Sequence, residues 1–156
     1  LAGGKIQYDL KAEQYAITGR VFGIAGLVTG MIWARFTWGA FWVNDTKLNG
    51  AAAAMLMYAA YFILRQSTED DTKRAKLSAV YLVFAFPLMM AFIYILPRMT
   101  DSLHPGNGGN PAFGQYDLDN QMRLVFYPAI LGWTLLGVWI TSIRIRIKKL
   151  WNSHEN

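Results

Sequence analysis

The 156-residue chain contains no cysteine, which removes disulfide scaffolds, thiolate metal sites, iron–sulfur clusters and a self-contained CxxCH haem attachment. It has only two histidines and is short of charge: 16% of its residues are charged, against about a quarter in soluble globular domains. No Gly/Ser or Pro-rich linker divides it, so a single domain is expected. What it has in abundance is apolar and aromatic surface, at 54% and 15%. The net charge of +5 would suggest nucleic acid only if Lys and Arg formed a stripe; here they punctuate apolar blocks.

Four uncharged stretches lie between those charges: Val21–Ala34, Leu48–Leu64, Leu77–Pro97 and Leu124–Ile143. A transmembrane helix needs about 20 predominantly apolar residues. The last two satisfy this outright, the second is close, and the first qualifies if it starts near Tyr15 with Arg20 snorkelling to the headgroups. The predicted fold is therefore an all-α integral membrane protein with four spans, at about 15–34, 48–65, 77–97 and 124–144. Gly19, Gly23, Gly26 and Gly30 share one face of the first span, where small residues let helices approach closely in lipid. Pro87 and Pro128 are expected to kink or open the third and fourth helices.

Orientation follows from the distribution of positive charge, which is enriched on cytoplasmic flanks. Eleven Lys and Arg residues fall on one side of the spans, including Arg65, Lys73, Arg144 and Lys148, whereas only Arg35, Lys47, Arg98 and Arg123 fall on the other. Both termini are then cytoplasmic, and 35–49 and 98–123 become external loops. A multi-pass location in a cytoplasmic (inner) membrane is expected, and the basic residues are topogenic.

The first loop opens Arg35-Phe36-Thr37-Trp38-Gly39-Ala40-Phe41-Trp42-Val43-Asn44-Asp45. Were it helical, Trp38, Phe41, Trp42 and Asp45 would fall at i, i+3, i+4 and i+7, an aromatic face ending in a carboxylate. Such a face serves either as an interfacial tryptophan belt or as a platform for a large planar ligand, with Arg35, Lys47 and Arg98 available for its acidic groups. Asp45 is also well placed to cap the following helix. The second loop contains Leu103-His104-Pro105-Gly106, whose imidazole is suited to axial ligation of haem iron. His154, in the cytoplasmic tail, has no chemical neighbourhood of its own.

Trp38-Gly39-Ala40-Phe41-Trp42-Val43-Asn44-Asp45, followed by Leu103-His104-Pro105-Gly106 in the next external loop, closely resembles the haem-handling CcmC/CcsA family of cytochrome c maturation, in its haem exporter C branch. The family signature has the form W-G-x-aromatic-W-x-W-D; every element is kept except the third tryptophan, where Asn44 stands. The resemblance extends over nearly the whole chain. It implies transient, non-covalent haem b binding outside the membrane, with Trp38, Phe41, Trp42 and Asp45 forming the haem-facing segment and His104 an axial ligand. It also implies transfer to the haem chaperone CcmE beside CcmD and CcmAB, with membrane lipid as surroundings, no nucleic acid and no catalytic residues. The family supplies a second external histidine before the Trp-rich segment and six spans. This chain has four spans and no such histidine, so it reads most simply as lacking the first two helices and their loop, the alternative being divergence to single-histidine ligation.

Two other classes compete. A redox-complex anchor would hold b-type haem between histidines inside its spans, and none of these spans contains one. A non-haem scaffold or transporter subunit would use the tryptophans as an interfacial belt alone.

Overall fold

A computed structural model describes residues 6–104 and 118–154. The described elements are all helical: α1 (Ile6–Trp38), α2 (Thr46–Gln66), α3 (Asp71–Met90), a π turn (Ala91–Ile95), α4 (Leu96–Met99) and α5 (Asn120–His154). α3, the π turn and α4 run on as one helix, Asp71–Met99, giving four helices long and apolar enough to cross a membrane. The expected all-α membrane architecture is what the chain adopts.

Local chemistry sets the boundaries. Asp45 and Asp70 cap α2 and α3, their carboxylates accepting from Lys47 N and Leu48 N and from Lys73 N respectively, which satisfies amide groups that a helix start leaves unpaired. α1 stops at Trp38 because Gly39 takes φ +81°, a left-handed conformation that costs glycine nothing and terminates helices. The guanidinium of Arg35 donates to the Gly39 carbonyl and so closes the same helix end. This corrects the helical reading of the Trp-rich segment. Arg35 and Trp38 sit on α1, the chain bends at 39–41, and Trp38, Phe41, Trp42 and Asp45 share no helix face.

α1 packs against α2 and α5, and α2 against α3 and the π turn; among the described residues α5 touches α1 alone. The small core is Ala16, Tyr61 and Phe62, with Tyr58, Tyr81 and Leu82 against it. Most other large apolar side chains face outward, as expected where lipid tails are the solvent. Polar groups fasten the end of the bundle that the charge count assigns to the cytoplasm. Arg65 is buried, makes a bidentate pair with Asp9 (2.7 and 2.9 Å), and also donates to Glu13 (3.2 Å) and Ser78 (3.1 Å). Arg20 is held over the Phe62 ring with its guanidinium 4.1 Å from the centroid, a cation–π contact.

Of the four glycines on one face of α1, two are used as close-packing positions. A Cβ on Gly19 would meet the Tyr58 hydroxyl at 2.7 Å and one on Gly23 would strike Met55, whereas Gly26 and Gly30 face open space. The third helix opens beyond Pro87, through the π turn. There the Leu96 amide reaches back five residues to the Ala91 carbonyl, and Pro97 has no N–H to continue that pattern onto Phe92.

Candidate haem-contacting site

The connection between α1 and α2 and the segment after α4 meet at one end of the bundle. Thr100 Oγ1 donates to Thr46 Oγ1 at 2.9 Å, and the contacts of Asp45 bring the rest together. Asp45 is 3% exposed and its carboxylate accepts five hydrogen bonds. Oδ1 takes Lys47 N (2.9 Å), Leu48 N (3.3 Å) and His104 Nδ1 (3.0 Å); Oδ2 takes Ser102 Oγ (2.7 Å) and Leu103 N (2.7 Å). Burial pushes its pKa up, but the donors Ser102, Leu103, Lys47 and Leu48 outweigh this and hold it below the ordinary aspartate value of 3.8. Asp45 therefore serves both as cap and as anchor for the next loop.

An ionised carboxylate only accepts, so the proton on the His104–Asp45 bond belongs to Nδ1. In the neutral ring this leaves a lone pair on Nε2, the atom able to donate to a metal. A carboxylate behind the remote nitrogen is the usual outer partner of a metal-binding histidine, fixing its tautomer and increasing its basicity. Ser102 Oγ also accepts from the His104 amide at 3.1 Å, so the short turn is tied at both ends to the same carboxylate. The side chain of His104 is 27% exposed, half-buried with an open edge.

Aromatic rings wall the imidazole. Trp38 meets it edge-on at 4.7 Å and 78°, Trp33 lies tilted at 6.0 Å and 33°, and the two indoles contact each other at 5.0 Å and 78°. Trp33 lies one turn and more before the recognised signature and was not picked out by the sequence, nor was Ser102. The available signals were weak: an indole five residues before Trp38, and a Ser two residues before the His, the spacing of a side-chain turn. Phe41 and Trp42 are exposed, as is Trp33, but only Trp33 and Trp38 make ring contacts with His104 among the described residues.

The cations are distributed around it. Arg35 is exposed, committed by one nitrogen to the Gly39 carbonyl, and its guanidinium lies 5.9 Å from the Phe41 ring centroid. Arg98 stacks on Tyr94 at 3.6 Å. The Lys47 amide binds Asp45. The Pro105-Gly106 part of the second motif lies outside the described residues.

A half-buried imidazole with its remote nitrogen pinned by a carboxylate, walled by indoles at one end of a lipid-facing helical bundle, defines the class: a multi-helix membrane protein with an aromatic-walled imidazole at its rim. The chain's relatives agree with that class. A family model described as heme exporter protein C matches residues 5–155, and the chain belongs to that family. It is 28% identical over 138 residues to the heme exporter protein C of Escherichia coli K12, covering 88% of this chain and 54% of the relative. Similarity to the Paracoccus denitrificans protein of that name is 27% over 137 residues, covering 88% and 56%. A shorter match, 36% over 73 residues, joins 47% of this chain to 23% of the cytochrome c biogenesis protein CcsA of Prochlorococcus marinus. The chain spans about half the length of the haem exporter relatives. Family and helices together make it a multi-pass protein of the bacterial inner membrane.

Proposed function

We propose that this protein binds haem b transiently at the outer face of the membrane and presents it to an acceptor during cytochrome c maturation. The acceptor is a CcmE-type haem chaperone, and CcmD and CcmAB act nearby. The observation that carries this reading is the 3.0 Å bond between His104 Nδ1 and Asp45, which orients one imidazole for iron through Nε2 beside the Trp33–Trp38 wall. The reading draws further support from the family and from the charge asymmetry, which favours this end as the outer one.

In this scheme Trp38 and Trp33 shield one side of the ligating ring, and Phe41 and Trp42 extend the apolar surface outward for the porphyrin. Arg35, Lys47 and Arg98 are the cations nearest in sequence to this rim and compensate its propionates. Haem carries the chemistry of iron; the chain binds, orients and releases it, and no covalent step is assigned to it. A site at the rim of the bundle leaves the ligand within reach of a periplasmic acceptor. The bundle-core alternative has no histidine within a span to support it.

The test is the haem content of membranes carrying the protein. The Soret absorbance is expected to fall on His104→Ala and to recover when imidazole is added to that variant, because the cavity left by the ring admits the free base. Unchanged haem content in His104→Ala overturns the reading.

A further inference from the structure

At the opposite end of the bundle, the seam between α1 and α5 opens into a groove of about 400 Å³ that plays no part in the His104 site. Ile17 and Ile147 give it an apolar wall, and Arg144, Lys148 and Trp151 line it from the basic end of α5. Apolar depth with a cationic rim matches an amphiphile carrying negative charge.

Three details sharpen that match. The Arg144 Nε donates at 3.1 Å to the side-chain oxygen of Gln14, which is only 4% exposed, so the guanidinium is held in place through one nitrogen while two others are left for an anion. The one carboxylate in the groove, Glu13, is already engaged, accepting from Arg65 at 3.2 Å and from Gln14 at 3.4 Å. Along α5 from Asn120 to His154 there is no acidic residue to offset Arg144, Arg146, Lys148 and Lys149. Trp151 completes the groove with a ring type that settles at headgroup depth.

We propose that this groove binds an anionic glycerophospholipid, with its phosphate on Arg144 and Lys148 and an acyl chain along Ile17 and Ile147. Basic pockets between transmembrane helices on the cytoplasmic side suit such headgroups, and the charge count assigns this end to that leaflet. General attraction to an anionic leaflet would involve all four cations equally. A site involves two of them, because Arg146 and Lys149 do not line the groove.

The experiment is native mass spectrometry of the detergent-purified full chain, titrated with phosphatidylglycerol and with phosphatidylcholine of the same acyl chains. The unaltered protein is expected to prefer phosphatidylglycerol. The pair Arg144→Gln with Lys148→Gln loses that preference by roughly thirtyfold, about what two cations near an anionic headgroup contribute. Arg146→Gln with Lys149→Gln, the same loss of charge outside the groove, keeps it. Lys148→Gln alone, at an exposed position, reports the site without disturbing the Arg144–Gln14 contact and weakens the preference severalfold. Absence of any preference, an equal loss in both double variants, or a preference that survives Arg144→Gln with Lys148→Gln overturns the proposal.

Discussion

The backbone carbonyl of Phe92 lies against Gly50: a Cβ built at Gly50 would stand 2.5 Å from that oxygen, closer than real side chains allow. Pro97 lacks the amide that would pair with Phe92 in the π pattern, and the carbonyl turns its lone pairs toward the bare face of α2 instead. This contact sits little more than a turn above Asp45, so it sets where α4 ends and where Ser102 and His104 begin. Gly50→Ala is expected to cost about 1–3 kcal/mol, as overpacking does, and to loosen the loop. Thermal unfolding in detergent measures the first, and a fall in haem content without any change at His104 measures the second. An unchanged melting temperature in Gly50→Ala would remove the contact from the account.

Asp45→Asn keeps the shape of the side chain and removes its charge. An amide cannot accept all five hydrogen bonds, and one of its hydrogens would face a donor, so the expected loss is about 2 kcal/mol, in the range for a charged hydrogen-bond network and a helix cap. Haem binding is expected to weaken in parallel, because Nδ1 of His104 is no longer held to a carboxylate.

The same residue predicts a pH dependence. Its folded pKa lies below the ordinary 3.8, so its stabilising contribution is complete above that value and is lost as pH falls through the lowered folded value. Unfolding midpoints followed from neutral pH into acid should hold level with respect to this group and then drop. In Asp45→Asn that part of the acid limb disappears.

Trp33 and Trp38 both touch the His104 ring, while Trp42 does not. Trp33→Ala is therefore expected to weaken haem affinity as much as Trp38→Ala. An aromatic contact is worth about 0.5–1.5 kcal/mol beyond its area, which is roughly two- to tenfold in dissociation constant. Haem titration of the protein in nanodiscs decides it; full affinity in Trp33→Ala would confine the indole wall to the recognised motif.

Arg65 joins Asp9, Glu13 and Ser78 across three helices. Replacing it with Leu leaves two carboxylates, 14% and 27% exposed, without their cation, and the expected loss lies at or below the lower end of the about 3–5 kcal/mol that breaking a fully buried pair costs. Because this cluster lies at the opposite end of α2 from Asp45 and His104, the damage should appear in unfolding and expression while correctly folded molecules keep the haem affinity proposed above.

Much of the architecture is written locally. Charge-free runs reveal the four helices because hydrocarbon tolerates little else, and Asp45 is readable as a cap from its place before an apolar run. The site is less legible. Arg35 and Trp38 look like loop residues until Gly39 is seen to carry the bend, since a glycine in sequence announces permission for a left-handed turn without requiring one. The pairing of Asp45 with His104 spans 59 positions, and no periodicity encodes a contact of that separation. Resemblance to a known motif brought the two loops together; only geometry added Trp33 and Ser102, and only the joint effect of Pro97 and Gly50 explains how the second loop is aimed.

α5 is fastened to α1 through the Thr141–Thr18 hydroxyl pair, the ring of Phe22 against Gly137 and Trp133, and Arg144 on Gln14, and it touches no other helix among the described residues. The clasp of Asp45, Ser102 and His104 is assembled wholly from the other three. Among the described residues the terminal helix therefore has no packing route of its own to the His104 imidazole, and like an outrigger it is stayed by a single neighbour.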